Sequence, residues 1–248
     1  MAISTNLQTA ASVKNDLAAF ARPHRVSDYQ KFFKTGPGEY AEGDLFIGVT
    51  VPDSRIVAKD YKDLPPAEIQ KLLNSKIHEE RFVGLAILVN QFKKAQQPKT
   101  LDEAAQKRLF DFYLKNLYAQ RVNNWDLIDA TAPYLGYYLL GRRGTTKLLD
   151  DLAKSHSLWE RRAAVIFTFA FIREYELEAT LRLCKKLLND PHDLMHKACG
   201  WMLRELGKKE ISLLRGFLEE NVNQMPRTML RYSIEKMSER ERQMWLKR

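Results

Sequence analysis

The feature that most constrains the fold is a repeated helical pattern. Three segments place a small residue at the centre of a helix between large apolar residues: RFVGLAIL from Arg81, RRAAVIF from Arg161 and KACGWML from Lys197. Their alignment puts Gly84, Ala164 and Gly200 in register, and the last two are 36 residues apart. This spacing is typical of stacked helix pairs, in which each pair leaves an apolar face for its neighbour to cover. The repeat is degenerate, so a plain helical bundle is the alternative.

Helical periodicity dominates after the first third of the chain, and we find no convincing alternating pattern of a strand. We therefore predict an all-α fold and a single domain over residues 1–248. Glycines and prolines concentrate in residues 34–55, which we interpret as a loop or a joint between helices. On this interpretation residues 1–55 hold less regular helices and the joint, and residues 56–248 hold the stacked helix pairs.

Composition narrows the range of partners. The 248 residues include 40 Lys and Arg against 31 Asp and Glu, a formal net charge of +9, which favours a polyanionic partner. The longest apolar run, Ala163 to Ile172, is much shorter than the roughly 20 residues of a membrane span. Cys184 and Cys199 lie in apolar helical patterns, which indicates buried, reduced thiols. The N-terminus lacks the pattern of a signal peptide, so we expect a soluble cytoplasmic protein without membrane contact.

The repeat also predicts a chemically mixed cluster. In the register of the repeat, Asp129, Val165 and Trp201 occupy equivalent positions on three successive helices. Trp125 lies one helical turn before Asp129, and Arg162 lies one turn before Val165. Because packed helices are about 8–10 Å apart, we expect Trp125, Asp129, Arg162 and Trp201 to line one concave surface. The alternatives are core tryptophans and a solvated arginine. Asp129 is the hardest to explain in that way, because an acid between apolar residues needs a partner.

Three motifs resemble those of a known family. NWDLID, LWERRAAVIF and GWMLREL, in this order and spacing, resemble the bacterial alkylpurine DNA glycosylases of the AlkD type. The resemblance spans roughly residues 46–206. It implies a superhelical solenoid of HEAT-like antiparallel helix pairs with a concave DNA-binding face. It also implies hydrolysis of the N-glycosidic bond of purines alkylated at N3 or N7 in double-stranded DNA, without a dedicated base pocket.

The resemblance implies roles for individual residues. Trp125 and Asp129 match the family's tryptophan–aspartate pair, Arg162 its catalytic-site arginine and Trp201 its second tryptophan. The two tryptophans would cradle the lesion nucleotide, Asp129 would face the sugar and Arg162 would hold a phosphate. Asn124 departs from the family, which often has a further tryptophan there. We expect a monomer, no cofactor and no metal, since His192 and His196 have no third ligand nearby and are expected to be solvated.

Basic residues are the candidates for the remaining DNA contacts. The loop GRRGTTK, from Gly141 to Lys147, has the composition of a phosphate-binding loop, although its basic residues would equally compensate the dipole of a helix that ends at Gly141. The predicted DNA-binding residues are Arg161, Arg162, Arg204, Arg142, Arg143, Lys147, Pro52 and Arg55. Two other functions remain open: a non-catalytic protein that binds distorted or branched DNA, and a scaffold for protein interactions.

Overall fold

The computed structural model describes residues 8–248, and their regular structure is helical. The chain divides into two compact units, one that ends at Thr131 and one that begins at Ala132. The α-helices of the first unit are α1 Ala10–Ala18, α2 Val26–Phe33, α3 Val51–Asp60, α4 Pro66–Leu73, α5 His78–Gln96, α6 Glu103–Tyr118 and α7 Trp125–Asp129. Those of the second unit are α8 Ala132–Leu135, α9 Thr145–Ala153, α10 Leu158–Arg173, α11 Glu178–Lys186, α12 Asp193–Lys209, α13 Ile211–Asn221, α14 Arg227–Ser233 and α15 Glu239–Leu246.

Short 3-10 helices supplement these elements at Pro23–Arg25, Pro98–Thr100 and Gly136–Leu139. Extended pairing among residues 8–248 is limited to an isolated parallel bridge between Leu45 and Ile77. The predicted all-α helical-repeat fold is confirmed. The single-domain organisation remains a prediction.

Helix α5 is the centre of the first unit, where it packs against α3, α4 and α6. Its middle turns are buried around Gly84. A Cβ atom at Gly84 would lie 3.1 Å from the Cβ of Leu72 and 3.3 Å from a methyl group of Leu73. The small residue that marks the repeat thus permits a close approach of α4 to α5.

The irregular segment before α3 is anchored to α5 by one carboxylate. Glu79 accepts backbone N–H groups from Ile47, Gly48 and Val49 at 2.8–3.2 Å. Gly48 has a φ of +81°, and a Cβ there would fall 2.2 Å from the carbonyl oxygen of Arg22, so this position requires glycine. The joint predicted over residues 34–55 ends earlier than expected, because α3 begins at Val51 with the side chain of its N-cap residue accepting a backbone N–H.

The second unit is organised around two long helices. Helix α10 packs against α8, α9, α11 and α12, and α12 packs against α13 and α14. Gly200 faces α14, where a Cβ atom would lie 2.5 Å from the Cβ of Tyr232 and 2.6 Å from the carbonyl oxygen of Met229. Ala164 is fully buried in α10. Both small residues of the repeat therefore lie in the packed interior of this unit.

A shared turn before two of the long helices provides further evidence of the repeat. Arg81 and Arg161 lie three residues before Gly84 and Ala164, respectively. Each donates a hydrogen bond to the carbonyl oxygen of the serine six residues earlier, at 3.1 Å and 3.0 Å. The register deduced from small residues therefore extends to the polar contacts at the helix starts.

Two observations bear on the expectations from composition. Cys184 and Cys199 are free and buried, as predicted. Burial raises the pKa of the Cys184 thiol, and its sulfur lies 3.6 Å from the carbonyl oxygen of Cys199. Among residues 8–248, no helix combines the length and the apolar character that crossing a membrane requires.

Candidate functional site in the first unit

The tryptophan–aspartate pair lies on a helix of one turn. Asn124 precedes α7 with an extended backbone, and its side chain accepts the backbone N–H of Trp125 at 2.8 Å. Leu127 and Ile128 are fully buried on the inner side of the helix. Trp125 and Asp129, four residues apart, are half-buried and share the opposite side. The sequence prediction that these two side chains lie side by side is consistent with this placement.

Trp125 belongs to an aromatic cluster with α2 and the segment before α3. Its ring stacks on Phe33 with centroids 5.5 Å apart and an angle of 15° between the planes. Phe32 meets Trp125 edge-on at 5.7 Å, and Phe33 stacks in turn on Phe46 at 5.0 Å. Offset stacking and edge-to-face contacts are the favourable arrangements for aromatic pairs. Trp125 is therefore packed on one side while part of its surface remains accessible.

These rings enclose a pocket of about 390 Å³, which we call the aromatic pocket. Its volume lies in the range of about 300–1,000 Å³ that is usual for small-molecule sites. The side chains that define it include Phe32, Phe33, Phe46, Trp125, Asp126 and Asp129. The resemblance implied no dedicated base pocket, so a pocket next to the tryptophan–aspartate pair is unexpected.

A buried network of charged residues lies behind the pocket. His78, 2 % exposed, stands between two acids: Nδ1 lies 3.2 Å from Asp44 Oδ2, and Nε2 lies 2.8 Å from Asp126 Oδ2. Arg81 donates to the same oxygen of Asp44 at 2.7 Å. Buried charges require partners of this kind, because burial without them is costly. Asp126 accepts the adjacent backbone N–H of Leu127 in addition to its contact with His78.

The network keeps His78 protonated. Burial alone would lower the pKa of His78, but the negative charge of Asp126 and the hydrogen bonds to Asp126 and Asp44 raise it to about 9. For Asp44, burial acts against ionisation, whereas the hydrogen bond from His78 and the charge of Arg81 lower its pKa. Both ring nitrogens of His78 therefore act as donors at neutral pH.

Asp129 adjoins a second buried polar group. Burial raises the pKa of Tyr113, and the negative charge of Asp129 raises it further. The hydroxyl of Thr131 lies 3.0 Å from the Tyr113 hydroxyl and 2.6 Å from the carbonyl oxygen of Leu127. Asp129 thus lies between a packed polar interior and the aromatic pocket.

The other two residues of the predicted cluster belong to the second unit. Arg162 is 4 % exposed, and its guanidinium donates to the carbonyl oxygen of Leu194 at 2.5 Å. The alternative of a solvated arginine is therefore wrong. Trp201 is half-buried and lies against Phe169, with ring centroids 5.8 Å apart. A common surface for these two residues and the tryptophan–aspartate pair remains a prediction.

Two of the predicted DNA-binding arginines are held in ion pairs. Arg161 bonds Asp190 at 2.6 Å, and little of its side chain is exposed. Arg204 pairs with Glu205 at 3.2 Å and also with Glu235. Each has an evident structural role in the second unit, and DNA contacts by either one remain a prediction.

The other basic candidates are exposed. Arg142 and Arg143 lie in the GRRGTTK loop, where the Arg142 guanidinium stacks 4.3 Å from the centre of the Tyr138 ring. Gly141 and Gly144 have φ values of +64° and +83°, in the left-handed region that favours glycine. Lys147 pairs with Asp151 within α9. In the first unit, Pro52 and Arg55 are exposed on α3, and Arg55 borders the aromatic pocket.

The two histidines at the start of α12, His192 and His196, differ from expectation. They were expected to be solvated, but both are half-buried and bond the backbone. His192 Nδ1 accepts the N–H of Leu194 at 3.1 Å, and His196 Nε2 lies 2.6 Å from the carbonyl oxygen of Asp190. His192 is the N-cap residue of α12, and His196, in the first turn of the helix, bonds the backbone of the segment that leads into it. In the part of the chain that the structure describes, no three His, Cys, Asp or Glu side chains are grouped to hold a metal ion.

Comparison with known proteins identifies the family. The sequence model of the family described as DNA alkylation repair enzyme matches residues 13–237. A solved structure described as a predicted DNA alkylation repair enzyme from Enterococcus faecalis is similar in fold, with a TM-score of 0.66 and 13% identity over 88% of this chain and 97% of that one. No curated protein sequence is significantly similar. Because the family match covers most of its length, this chain belongs to the family of DNA alkylation repair enzymes.

Proposed function

We propose that this protein is a monofunctional DNA glycosylase that removes purines alkylated at N3 or N7 from duplex DNA. Membership of the DNA alkylation repair enzyme family supports a role in alkylation repair. The observation that carries the finer proposal is the pairing of Trp125 and Asp129 on α7, with both side chains bordering one aromatic pocket.

The proposed chemistry suits an acid beside an indole. A purine alkylated at N3 or N7 carries a positive charge, so it leaves readily with the electron pair of the bond to C1′. A water oxygen then bonds to C1′ and loses a proton. The transition state resembles an oxocarbenium ion, which the carboxylate of Asp129 would stabilise while it orients the water. The indole of Trp125 attracts the cationic base by about 0.5–2 kcal/mol.

Residues of the second unit complete the proposal. Arg162 would hold a phosphate beside the lesion, and Trp201 would contact the lesion nucleotide. The net charge of +9 supports binding to double-stranded DNA, with the exposed Arg142 and Arg143 among the candidate phosphate contacts. The proposed enzyme acts as a monomer, and its mechanism uses no cofactor.

The test is release of 7-methylguanine from methylated duplex DNA by the wild type and by Asp129→Asn. We expect the substitution to reduce the rate about 100-fold or more, the range found when a group that stabilises a transition state is removed. Asp111→Asn is the matched control, because Asp111 is an exposed acid of the same unit that pairs with Lys107. Duplex binding should persist in all three proteins and weaken steeply with salt.

Two results would contradict the proposal. Undiminished excision by Asp129→Asn would remove Asp129 from the mechanism. Absence of release by the wild type, together with salt-sensitive duplex binding, would identify a non-catalytic DNA-binding protein instead.

A further inference from the structure

A second pocket of the first unit lies at the other end of the charged network. It has a volume of about 490 Å³, and we call it the polar pocket. Asp44 and Arg81 border it, whereas His78 and Asp126 border the aromatic pocket. The polar pocket lies where α4 and α6 end and α5 and α7 begin. The helix dipoles around it therefore oppose one another, and the side chains decide which charge it favours.

Arg81 brings to this pocket a donor that has no acceptor. Arg81 is 4 % exposed, and its terminal nitrogens donate to the carbonyl oxygen of Ser75 at 3.1 Å and to Asp44 Oδ2 at 2.7 Å. Its Nε is buried, and no residue among 8–248 accepts its N–H group. Asp44 is held by His78 as well, through the same oxygen. Because an unpaired buried donor is costly, a ligand that accepts this hydrogen bond would bind favourably.

The equivalent arginine of the second unit shows which group suits this donor. Arg161 holds the same place in the repeat as Arg81, and both donate to a serine carbonyl at the turn before their helix. The Nε of Arg161 donates to Asp190 Oδ2 at 2.6 Å, and a terminal nitrogen donates to Oδ1 at 3.3 Å. Within residues 8–248, no carboxylate takes this position beside the Nε of Arg81. The repeat therefore indicates that an anionic oxygen fits at the Nε of Arg81.

Two further cations border the polar pocket. Arg121 is half-buried, and its Nε donates to Asn74 Oδ1 at 2.5 Å. In the described part of the chain, its terminal nitrogens engage in no ion pair. Lys76 is exposed and, over the same residues, has no ion pair either. Both follow the end of a helix, where a cation also compensates the helix dipole, so their position alone does not define a ligand site.

The acids of the polar pocket do not cancel these charges. Asp44 is bonded to His78 and Arg81, and Glu42 is exposed and accepts a backbone N–H at 2.9 Å. Three cations therefore border the pocket against two acids, one of which is already paired. Asn123 also borders it, and its buried Oδ1 has no partner among residues 8–248. Rotation of this amide would present an N–H group to an anion.

We propose that the polar pocket binds a phosphate group, whose oxygens accept hydrogen bonds from Arg81 Nε and from the terminal nitrogens of Arg121. Arginine suits this role because its planar guanidinium presents several donors to a phosphate. The same group occurs in the backbone of DNA and as a free phosphate ion, and the experiment distinguishes these two sources. DNA as the source rests on the proposed function. A phosphate bound here would tie the segment that leads into α7 to α5, and would thereby help to hold Trp125 and Asp129 in place.

The first arm measures thermal unfolding of the full chain by circular dichroism, in sodium phosphate and in sodium chloride of equal ionic strength. A ligand that binds only the folded state raises the melting temperature. At a phosphate concentration about tenfold above its dissociation constant, this rise is on the order of 3 °C for a chain of this size. Arg121→Gln should lose it. Phosphate also stabilises folded proteins by its exclusion from their surface, a contribution that remains in the variant.

The second arm measures binding to an undamaged DNA duplex by fluorescence anisotropy, between about 50 and 200 mM salt. Loss of one phosphate contact lowers the steepness of log K against log salt concentration by about 0.9, and we expect this change for Arg121→Gln. Lys99→Gln is the matched control in both arms, because it also removes one cation of the first unit, at an exposed position beyond the opposite end of α5. If Arg121→Gln does not fold, Lys76→Gln tests the same pocket at an exposed residue.

The outcomes separate the two sources and the two proposals. A smaller salt slope supports a backbone phosphate of DNA as the ligand, and a smaller rise in melting temperature alone supports a free phosphate ion. Identical behaviour of Arg121→Gln and Lys99→Gln in both arms would overturn the site, and the cations would then only compensate the helix ends. Because the duplex is undamaged, neither arm requires excision. Absence of 7-methylguanine release by the wild type would therefore contradict the proposed function alone.

Discussion

Replacement of His78 by Gln should make the stability of the protein less dependent on pH in the alkaline range. In the wild type the folded state raises the pKa of His78 from 6.5 to about 9. A raised pKa means that the folded state binds the proton more tightly than the unfolded state does. The resulting stabilisation is fully present below pH 6.5 and is lost as the pH rises through about 9.

The contribution of His78 to the free energy of unfolding follows from the rise of its pKa on folding. One pKa unit corresponds to about 1.4 kcal/mol, so a rise from 6.5 to about 9 corresponds to on the order of 3 kcal/mol of the free energy of unfolding. Asp44, Asp126 and Arg81 are the charged groups bonded within this network. The pKa of Asp44 is lowered, so its carboxyl remains ionised throughout the range tested.

The measurement is urea unfolding followed by circular dichroism, at intervals from pH 6 to pH 10, for the wild type and His78→Gln. The difference between their free energies of unfolding should shrink by on the order of 3 kcal/mol as the pH rises. His24→Gln is the control, because it makes the same exchange at an exposed histidine of the same unit. A constant difference between wild type and His78→Gln across this range would refute the assignment of a protonated His78.

Further predictions concern the packing of the second unit. Gly200→Ala should destabilise the fold by about 1–3 kcal/mol, because the added methyl meets Tyr232 and the backbone of Met229. Gly216→Ala in α13 should instead stabilise the fold by about 0.5–1 kcal/mol, since no atom beyond the adjacent residues and the helix's own backbone lies within 4 Å of the new Cβ. Urea unfolding of both variants should show stability changes of opposite sign, and a shared sign would contradict the packing. Cys184 and Cys199 are fully buried, so a thiol reagent should label neither in the native protein and both in urea; rapid native labelling would contradict their burial.

The helical repeat was predictable because its signals are local. Small residues at a fixed spacing, with large apolar neighbours, indicate which part of each helix packs closely against another helix. Gly84 lies where α5 packs closely against α4, and Gly200 lies where α12 packs closely against α14. The burial of the two cysteines was predictable for a similar reason. Each lies within an apolar helical pattern, and the apolar face of such a helix packs against other helices.

The charged network behind the pocket was not predictable from the sequence. His78 binds acids 34 and 48 residues away, and no local pattern relates such positions. The run from His78 to Arg81 consists of four ionisable residues, a composition that is usually exposed, yet all four are buried. Their partners come from distant parts of the first unit: the segment before α3 supplies Asp44 and the backbone N–H groups that Glu79 accepts, and Lys14 of α1 pairs with Glu80. Tertiary packing outweighs composition here.

The same packing determines the geometry of the proposed site. A helix of one turn has little stability by itself, so α7 depends on its surroundings to keep Trp125 and Asp129 in place. Asn124 caps its start, Asp126 ties it to His78 on α5, and Trp125 stacks on the aromatic residues of α2. Each of these contacts is made by a side chain of residues 124–126, just before Asp129 at the start of the same short helix. The short NWDLID segment therefore provides both the side chains of the proposed chemistry and the contacts that hold them in place. Loss of a buried partner such as His78 should for this reason impair excision as well as stability.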